Sequence, residues 1–311
     1  MKKVGFLLAC CLWVLSLAGF SLAAETAGMQ LQSSATALTI DKGTQPVLVY
    51  RYKEVPFKPY VQSLYSPKGV NVLLDAPADH LHHHGLMFAV SAEGTSFWEE
   101  SETGGKQNHA GFAGMQVTPE RVQFAERLRW ALPDGTLVLN EKRTIQVWNR
   151  LDSTFLSWRT ELTIPKGRDK ATLGGSHYYG LGMRFAPFMD CIGEFGNAAG
   201  SEGAIFRGLE RLTGATWCAY RVPQEENPVT VVMFDHPSNY KPVTWFTMPE
   251  PFAYLSATLR YHEEAIELQS GTPLSFLYGV VVQDSIMTTD QIEALYQTWI
   301  QTNPTKNGEE K

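Results

Sequence analysis

The sequence predicts an all-β protein, an antiparallel β-sandwich with one C-terminal helix. Three observations carry that prediction. Short runs rich in β-branched and aromatic residues recur from Ala37 to Gln283, parted by glycine, proline, aspartate and asparagine turns. The clearest runs alternate with a period of two, the mark of a strand buried on one face. Helical periodicity occurs once, where Ile292, Leu295, Tyr296, Trp299 and Ile300 form a single apolar stripe.

In chain order, the first segment is not part of that fold. Lys2 and Lys3 precede an apolar run from Val4 to Phe20 and the small-residue end Ser21-Leu22-Ala23. This pattern is that of a secretory signal peptide, so residues 1–23 are expected to be removed and the protein to be periplasmic or secreted. No later stretch approaches the ~20 apolar residues that a membrane span requires. The formal net charge is −6 and becomes −8 without the two lysines. That acidity argues against a nucleic-acid partner, which needs a basic face. Cys10 and Cys11 leave with the signal. Cys191 and Cys218 remain, either as one disulfide or as two free thiols.

Residues 24–303 read as one sandwich domain. Ala37–Ile40, Val47–Tyr52 and Val61–Tyr65 are strands by composition, the third ending in the turn Ser66-Pro67-Lys68-Gly69, and Val70–Leu74 leads on toward the histidines. Asp79-His80-Leu81-His82-His83-His84-Gly85 follows, then the apolar run from Leu86 to Ser91. Gly94–Gly114 reads as a long loop with an aromatic pair, two acids and a histidine, a length that favours function. Val122–Trp130 and Thr136–Trp148 flank the turn Pro133-Asp134-Gly135. In Thr154–Ile164, Leu156, Trp158, Thr160, Leu162 and Ile164 share one face. Phe155, Ser157, Arg159 and Glu161 share the other, as in a half-buried strand. Gly180–Ala186, Ala215–Tyr220, Val229–Phe234, Ala253–Arg260, Ala265–Leu268 and Leu274–Gln283 complete the sheets, with a glycine-rich loop at Gly193–Gly203. Thr288 to Asp290 can cap the helix. Residues 304–311 are polar and are expected to be a disordered tail.

The densest chemistry is the histidine run, which holds four of the eight histidines. In an extended segment His80, His82 and His84 would share one face. Two or three of them with Asp79 or Glu99 could then hold a divalent metal such as zinc, manganese or iron. Alternatively one histidine, oriented by a carboxylate, moves protons near neutral pH. The bland reading is that the imidazoles only hydrogen-bond loop backbone. A cupin site is excluded, because Gly85–Ala92 holds no glutamate. Asp235, His236 and Asn239 form a second cluster, delivered by the apolar strand Val231–Phe234; as plain turn chemistry they would bond their own backbone. Arg184 alternates with apolar neighbours and could bind a carboxylate or sugar hydroxyl, or form a structural ion pair. His109 and His177 are further candidates for substrate contact. Trp98 and Trp245 could stack on a sugar or simply fill core. No Walker loop, dinucleotide fingerprint, Gly-x-Ser-x-Gly elbow or His-Glu-x-x-His pair is present.

The run Asp79-His80-Leu81-His82-His83-His84-Gly85-Leu86-Met87-Phe88 resembles the Asp-His-Pro-His-His-Arg-Gly-Leu-Trp-Phe signature of the DUF6807 family, which carries the label "methane oxygenase PmoA" or PmoA-like. Phe97-Trp98, Gly182-Met183-Arg184, His236-Pro237-Ser238-Asn239 with Trp245, and Phe276-Leu277-Tyr278-Gly279-Val280 resemble its later motifs. Leu81, His84 and Met87 depart from the signature. The resemblance implies an exported sandwich acting on carbohydrate, and the late sequence is similar to galactose-mutarotase-like supersandwiches. Three functions follow as expectations. The first is an enzyme acting on a sugar or glycoside by hydrolysis, elimination or epimerisation. In it His82, His83 or His236 is the acid or base, and Asp79, Glu99 or Asp235 the partner carboxylate. The second is a non-catalytic carbohydrate-binding sandwich. The third is a histidine-ligated metalloprotein with the oxygenase chemistry of the label.

Overall fold

The computed structural model describes residues 28–200, 204–207 and 210–304. The expected signal peptide lies outside these residues, as does the tail beyond residue 304. Two large antiparallel sheets face each other. The ten-stranded sheet runs in the order Met29–Ser33, Ala37–Lys42, Gln45–Arg51, Tyr60–Leu64, Leu86–Ala89, Gly180–Arg184, Tyr254–Thr258, Thr244–Met248, Glu210–Gly214, Ala204–Arg207. The eight-stranded sheet runs Glu194–Asn197, Trp217–Val222, Val229–Asp235, Leu274–Gln283, Thr154–Thr163, Leu137–Trp148, Arg121–Ala131, Lys106–Val117. A four-stranded sheet of Ile266–Gln269, Lys170–Gly174, Ser91–Ala92 and Thr95–Ser96 caps one end. The fold is the predicted antiparallel β-sandwich with one terminal helix.

The core between the sheets follows from alternation. Trp130, Trp158, Leu156, Ile145 and Val147 point inward and are fully buried. Polar residues share this inward face. Arg143, fully buried, donates to Glu141, to the Gln107 side chain, to Tyr50 Oη and to the carbonyl of Pro59. Trp130 Nε1 and Thr160 Oγ1 donate to the same Glu141 carboxylate. The charge is therefore buried but paired and hydrogen-bonded at nearly every donor, the condition for tolerating it.

The strand Thr154–Thr163 departs from its half-buried reading. Phe155 and Ser157 are buried as well, because the helix Thr289–Thr302 lies on the outer face of that sheet. Ile292, Tyr296 and Trp299 pack there on Phe155, Val232, Phe234, Leu277 and Val281. Trp299 Nε1 donates to Ser157 Oγ at 2.9 Å. Gly279 permits the approach, since a Cβ there would stand 2.9 Å from Phe234 and 3.0 Å from Trp299. The helix begins in a capping box between Thr288 and Gln291.

Some segments differ from the sequence pattern. The reading of Gly94–Gly114 as one loop is corrected, since residues from Lys106 onward form the twelve-residue strand Lys106–Val117. It is an exposed edge strand, polar and glycine-bearing, paired to Arg121–Ala131 with register shifts around Ala110 and Ala113. Edge strands with little to bury carry little period-two signal. Glu194–Asn197 likewise is a strand within the expected glycine-rich loop. Val70–Leu74 contributes only isolated bridges. Cys191 is exposed and Cys218 buried, and both are free thiols. Among the described residues no helix is long and apolar enough to cross a membrane.

Candidate functional site

The histidine run leaves the sheet between Tyr60–Leu64 and Leu86–Ala89, and it is not extended. His80 N donates to Pro77 O at 3.0 Å and His83 N to His80 O at 2.9 Å. These turn bonds replace the period of two with one near three. His80 and His83 therefore stack, with ring centroids 4.5 Å apart and planes at 14°. His82 and His84 go different ways. The expected common face of His80, His82 and His84 does not form.

A second segment meets the first. In Phe97-Trp98-Glu99-Glu100 the two aromatics are fully buried, Phe97 against Trp130 and Trp98 stacked on Tyr179 at 5.2 Å. Ser96 Oγ accepts from the backbone N–H of Trp98 and Glu99. Anchored in this way, the segment sends its two glutamates in opposite directions. Glu99 faces outward, with Oε2 3.3 Å from His82 Nε2, and its Oε1 accepts from Tyr178 Oη at 3.1 Å. Glu100 turns inward to His84 Nε2 at 3.0 Å and Lys58 Nζ at 2.6 Å. The other nitrogen of His84, Nδ1, lies 2.7 Å from Asp75 Oδ1. Tyr60 stacks on the His84 ring at 4.3 Å, and its hydroxyl donates to Asp75.

His82, His83, Glu99 and Tyr178 line a cleft of about 1080 Å³. Phe246, Phe252 and Tyr254 give it an aromatic floor, with Glu250 and Cys191 also on its walls. Arg184 lies behind Phe252, its guanidinium carbon 3.4 Å from the ring centroid, and Nη2 reaches Asp79 at 3.5 Å. Asp79 also holds His80 Nδ1 at 3.0 Å. His177 sits at the rim against Tyr178 and Phe246.

Burial sets the charge of the cleft histidines. It lowers the pKa of His82, against the pull of Glu99. It pushes His83 down to about 2, helped by His82 and His80 alongside. Burial also works against a charged His84, but the hydrogen bonds to Asp75 and Glu100 outweigh it and raise the pKa. Burial would raise Glu100, and the His84 bond and Lys58 instead hold it below the usual carboxylate range. Burial thus favours the neutral forms of His82 and His83, while a carboxylate on each nitrogen of His84 favours its doubly protonated form.

A divalent metal on His80, His82 and His84 does not fit this geometry. Both nitrogens of His84 are engaged by carboxylates, and the three rings do not converge. Among the described residues no group of three or more histidine, cysteine, aspartate or glutamate side chains is arranged to hold a metal ion.

Several expected site residues lie elsewhere. His109 is bound to the buried Glu126 at 2.5 Å and packs on Tyr52. Asp235 accepts from Asn239 Nδ2 at 2.7 Å and from Val243 N, and Asn239 also bonds both backbone groups of Leu277. His236 bonds Ser238 and packs on Trp299. That cluster is turn chemistry that clamps two strands together, and burial raises Asp235 to about 6. Trp245 is fully buried with its Nε1 donated to Ala215 O, and Trp98 is buried behind the cleft. Neither indole offers a face to a ligand. The aromatic lining of the cleft comes instead from the half-buried Tyr178 and from Phe246 and Phe252, both largely buried, which no local pattern marks. Tyr178 alone carried a hint, in the polar-aromatic run before Gly180.

The sandwich resembles solved structures at low identity. A GH36 α-galactosidase, AgaB from Geobacillus stearothermophilus, aligns with a TM-score of 0.52 at 10% identity, covering 83% of this chain and 41% of that one. An α-galactosidase from Lactobacillus brevis aligns at 0.49 and 6% identity, over 88% of this chain and 41% of that one. The chain thus spans about two fifths of the length of these enzymes, and at these identities the likeness is one of fold. No curated protein matches the sequence. The model of a family of unknown function, DUF6807, matches residues 37–297. A match over most of the chain establishes membership: this protein belongs to the DUF6807 family.

Proposed function

We propose that this protein is an exported carbohydrate-active enzyme in which His82, braced by Glu99, moves a proton on a sugar bound in the cleft. The observation that carries this reading is the line His82–Glu99–Tyr178 along the wall of an aromatic-floored cleft, in which His82 Nε2 stands 3.3 Å from the Glu99 carboxylate and Tyr178 Oη donates to it. If His82 donates Nε2–H to Glu99, Nδ1 is left as the basic nitrogen, the arrangement by which a carboxylate fixes a catalytic histidine's tautomer. A neutral His82 is ready to accept a proton at neutral pH. Phe252 and Phe246 suit the apolar C–H faces of a sugar ring, and the cleft has the size of small-ligand sites.

The fold of a sugar-processing α-galactosidase supports the substrate class. Among the three reactions, the pair favours proton abstraction, as in elimination or epimerisation. Hydrolysis by two free carboxylates is less suited, because Glu99 is already tied to His82 and Tyr178. The N-terminal pattern adds export to the periplasm or beyond.

The test is a panel of glycosides and free sugars incubated with the protein in D2O. Deuterium should enter one sugar carbon, or an eliminated product should form. Both should fail in His82→Ala and Glu99→Gln while sugar binding persists. Binding that survives these changes, with no exchange or turnover on any sugar, would instead make the sandwich a non-catalytic carbohydrate binder. Stoichiometric iron or copper in the purified protein would revive the oxygenase reading.

A further inference from the structure

The two segments that carry the site are joined twice. One His–Glu contact, His82 to Glu99 at 3.3 Å, faces the cleft. The other, His84 to Glu100 at 3.0 Å, lies behind it with side-chain exposures of 3% and 8%. The two contacts use residues two apart on one segment and adjacent residues on the other. A shift of the segment 79–84 relative to 97–100 must therefore move both.

The rear contact is far more constrained. His84 Nδ1 is held by Asp75 at 2.7 Å, and Asp75 is itself fixed by Tyr60 Oη at 3.0 Å and Gln62 Nε2 at 2.9 Å. Glu100 is held by Lys58, whose side chain is fully buried. Asp75, Glu100, Lys58, Tyr60 and Gln62 are the charged and polar groups around the His84 ring. None except Glu100 comes from the glutamate segment, so the bonds that His84 and Lys58 make to Glu100 tie the end of that segment to the strands beneath, and the one from His84 also ties it to the histidine run. By contrast His82 is 23% and Glu99 37% exposed. An ion pair that exposed holds two side chains together only weakly.

We propose that His84, clamped between the carboxylates of Asp75 and Glu100, is a positioning residue that fixes the two segments so that His82 Nε2 rests on Glu99. It acts through Glu100 and its neighbour and does not line the cleft. The proposal rests on the reading of His82–Glu99 as the proton-transfer pair, but its main readout does not need substrate.

The experiment compares wild type with His84→Gln, His84→Arg and Asp75→Asn. The imidazole 15N resonances of His82, recorded at one neutral pH, report whether Nε2 stands against the Glu99 carboxylate. Glutamine removes the cation and should shift the His82 resonances toward those of Glu99→Gln. Asp75→Asn, remote from the cleft, should do the same to a smaller degree. Arginine keeps a two-sided cation and should restore the wild-type resonances. With a sugar that the wild type turns over, kcat in His84→Gln should fall on the order of a hundredfold with KM little changed, the effect of misplacing a reacting group by about 1 Å. Unmoved His82 resonances in folded His84→Gln and Asp75→Asn would overturn the positioning role. So would loss of folding in all three variants, which would make the clamp a folding element only. Failure to find any sugar substrate, with the His82 resonances displaced as expected, would leave the clamp standing and remove the proposed function instead.

Discussion

The same two residue types, brought together twice within one short stretch, have their histidine pKa values moved in opposite directions. At the cleft, His82 has one carboxylate partner that is itself partly solvated, and burial lowers its pKa. Behind the cleft, His84 has a carboxylate on each nitrogen, and the hydrogen bonds overcome a stronger burial to raise its pKa. Partner number, not burial alone, decides the sign. The difference separates two jobs. A neutral histidine beside one acid can take up a proton. An imidazolium between two acids is fixed in place and can only hold them.

The contrast can be broken most severely at Lys58. Lys58→Met leaves the buried Glu100 beside His84 without its ammonium partner. Removing one member of a buried ion pair costs roughly 3–5 kcal/mol, to be read from urea denaturation midpoints. An unchanged midpoint would mean that the rear cluster holds nothing together.

Glu99→Gln is the matching change at the cleft and should act on chemistry instead. Turnover should fall by about a hundredfold or more, the usual contribution of a positioned acid–base pair. Its stability should stay within about 0.5 kcal/mol of wild type, as for an exposed pair. A large loss of stability with turnover intact would reverse the assignment of the two pairs.

The pH dependence sharpens the comparison further. His83 has a folded pKa of about 2 against 6.5 for the free side chain. It therefore contributes stability that is present above pH 6.5 and lost as pH falls toward 2. The slope from one proton is about 1.4 kcal/mol per pH unit. His83→Phe should remove that share of the acid loss, seen in melts over a pH series. His84 works in the other direction. Its raised pKa contributes stability that is full below 6.5 and lost as pH rises through the folded value. His84→Arg should flatten this alkaline limb, because arginine does not titrate there. An alkaline limb identical to wild type would show that His84 is not the imidazolium.

A smaller effect concerns the floor. A Cβ on Gly182 would stand 2.1 Å from Tyr254 Oη and 2.5 Å from Trp98. Gly182→Ala should cost about 1–3 kcal/mol through overpacking and should weaken sugar binding as Tyr254 shifts. Melting temperature and titration calorimetry check the two parts.

The departure of His84 from the family signature also gains a physical reading. Arginine is the residue of the resembling pattern, and an imidazolium between Asp75 and Glu100 supplies a cation at the same place. The other departures stand apart from this clamp. Leu81 is 65% exposed at the tip of the turn, and Met87 is buried in the strand behind it.

Much of the fold was legible in the sequence, because burial on a pleated sheet writes a period of two into a strand. Arg121–Ala131 and Leu137–Trp148 show it, and the stripe at Ile292, Tyr296 and Trp299 shows the helical period in the same way. The edge strand Lys106–Val117 was not, since it buries little and its backbone pairing leaves no pattern. Of the site, the sequence by itself identified His82, His83 and Glu99 as chemically dense positions. It could not divide them into working and structural groups. Turn bonds at His80 and His83 rotated the histidines away from the common face that alternation implies. Long-range packing then chose their partners: Lys58, Asp75 and Tyr178 come from other parts of the chain. Asp235, His236 and His109 look equally reactive in sequence, yet the sheets bury them in clamps of their own. Residue type is local, while the charge and reach of a side chain depend on which distant groups the fold sets within about 3 Å of it.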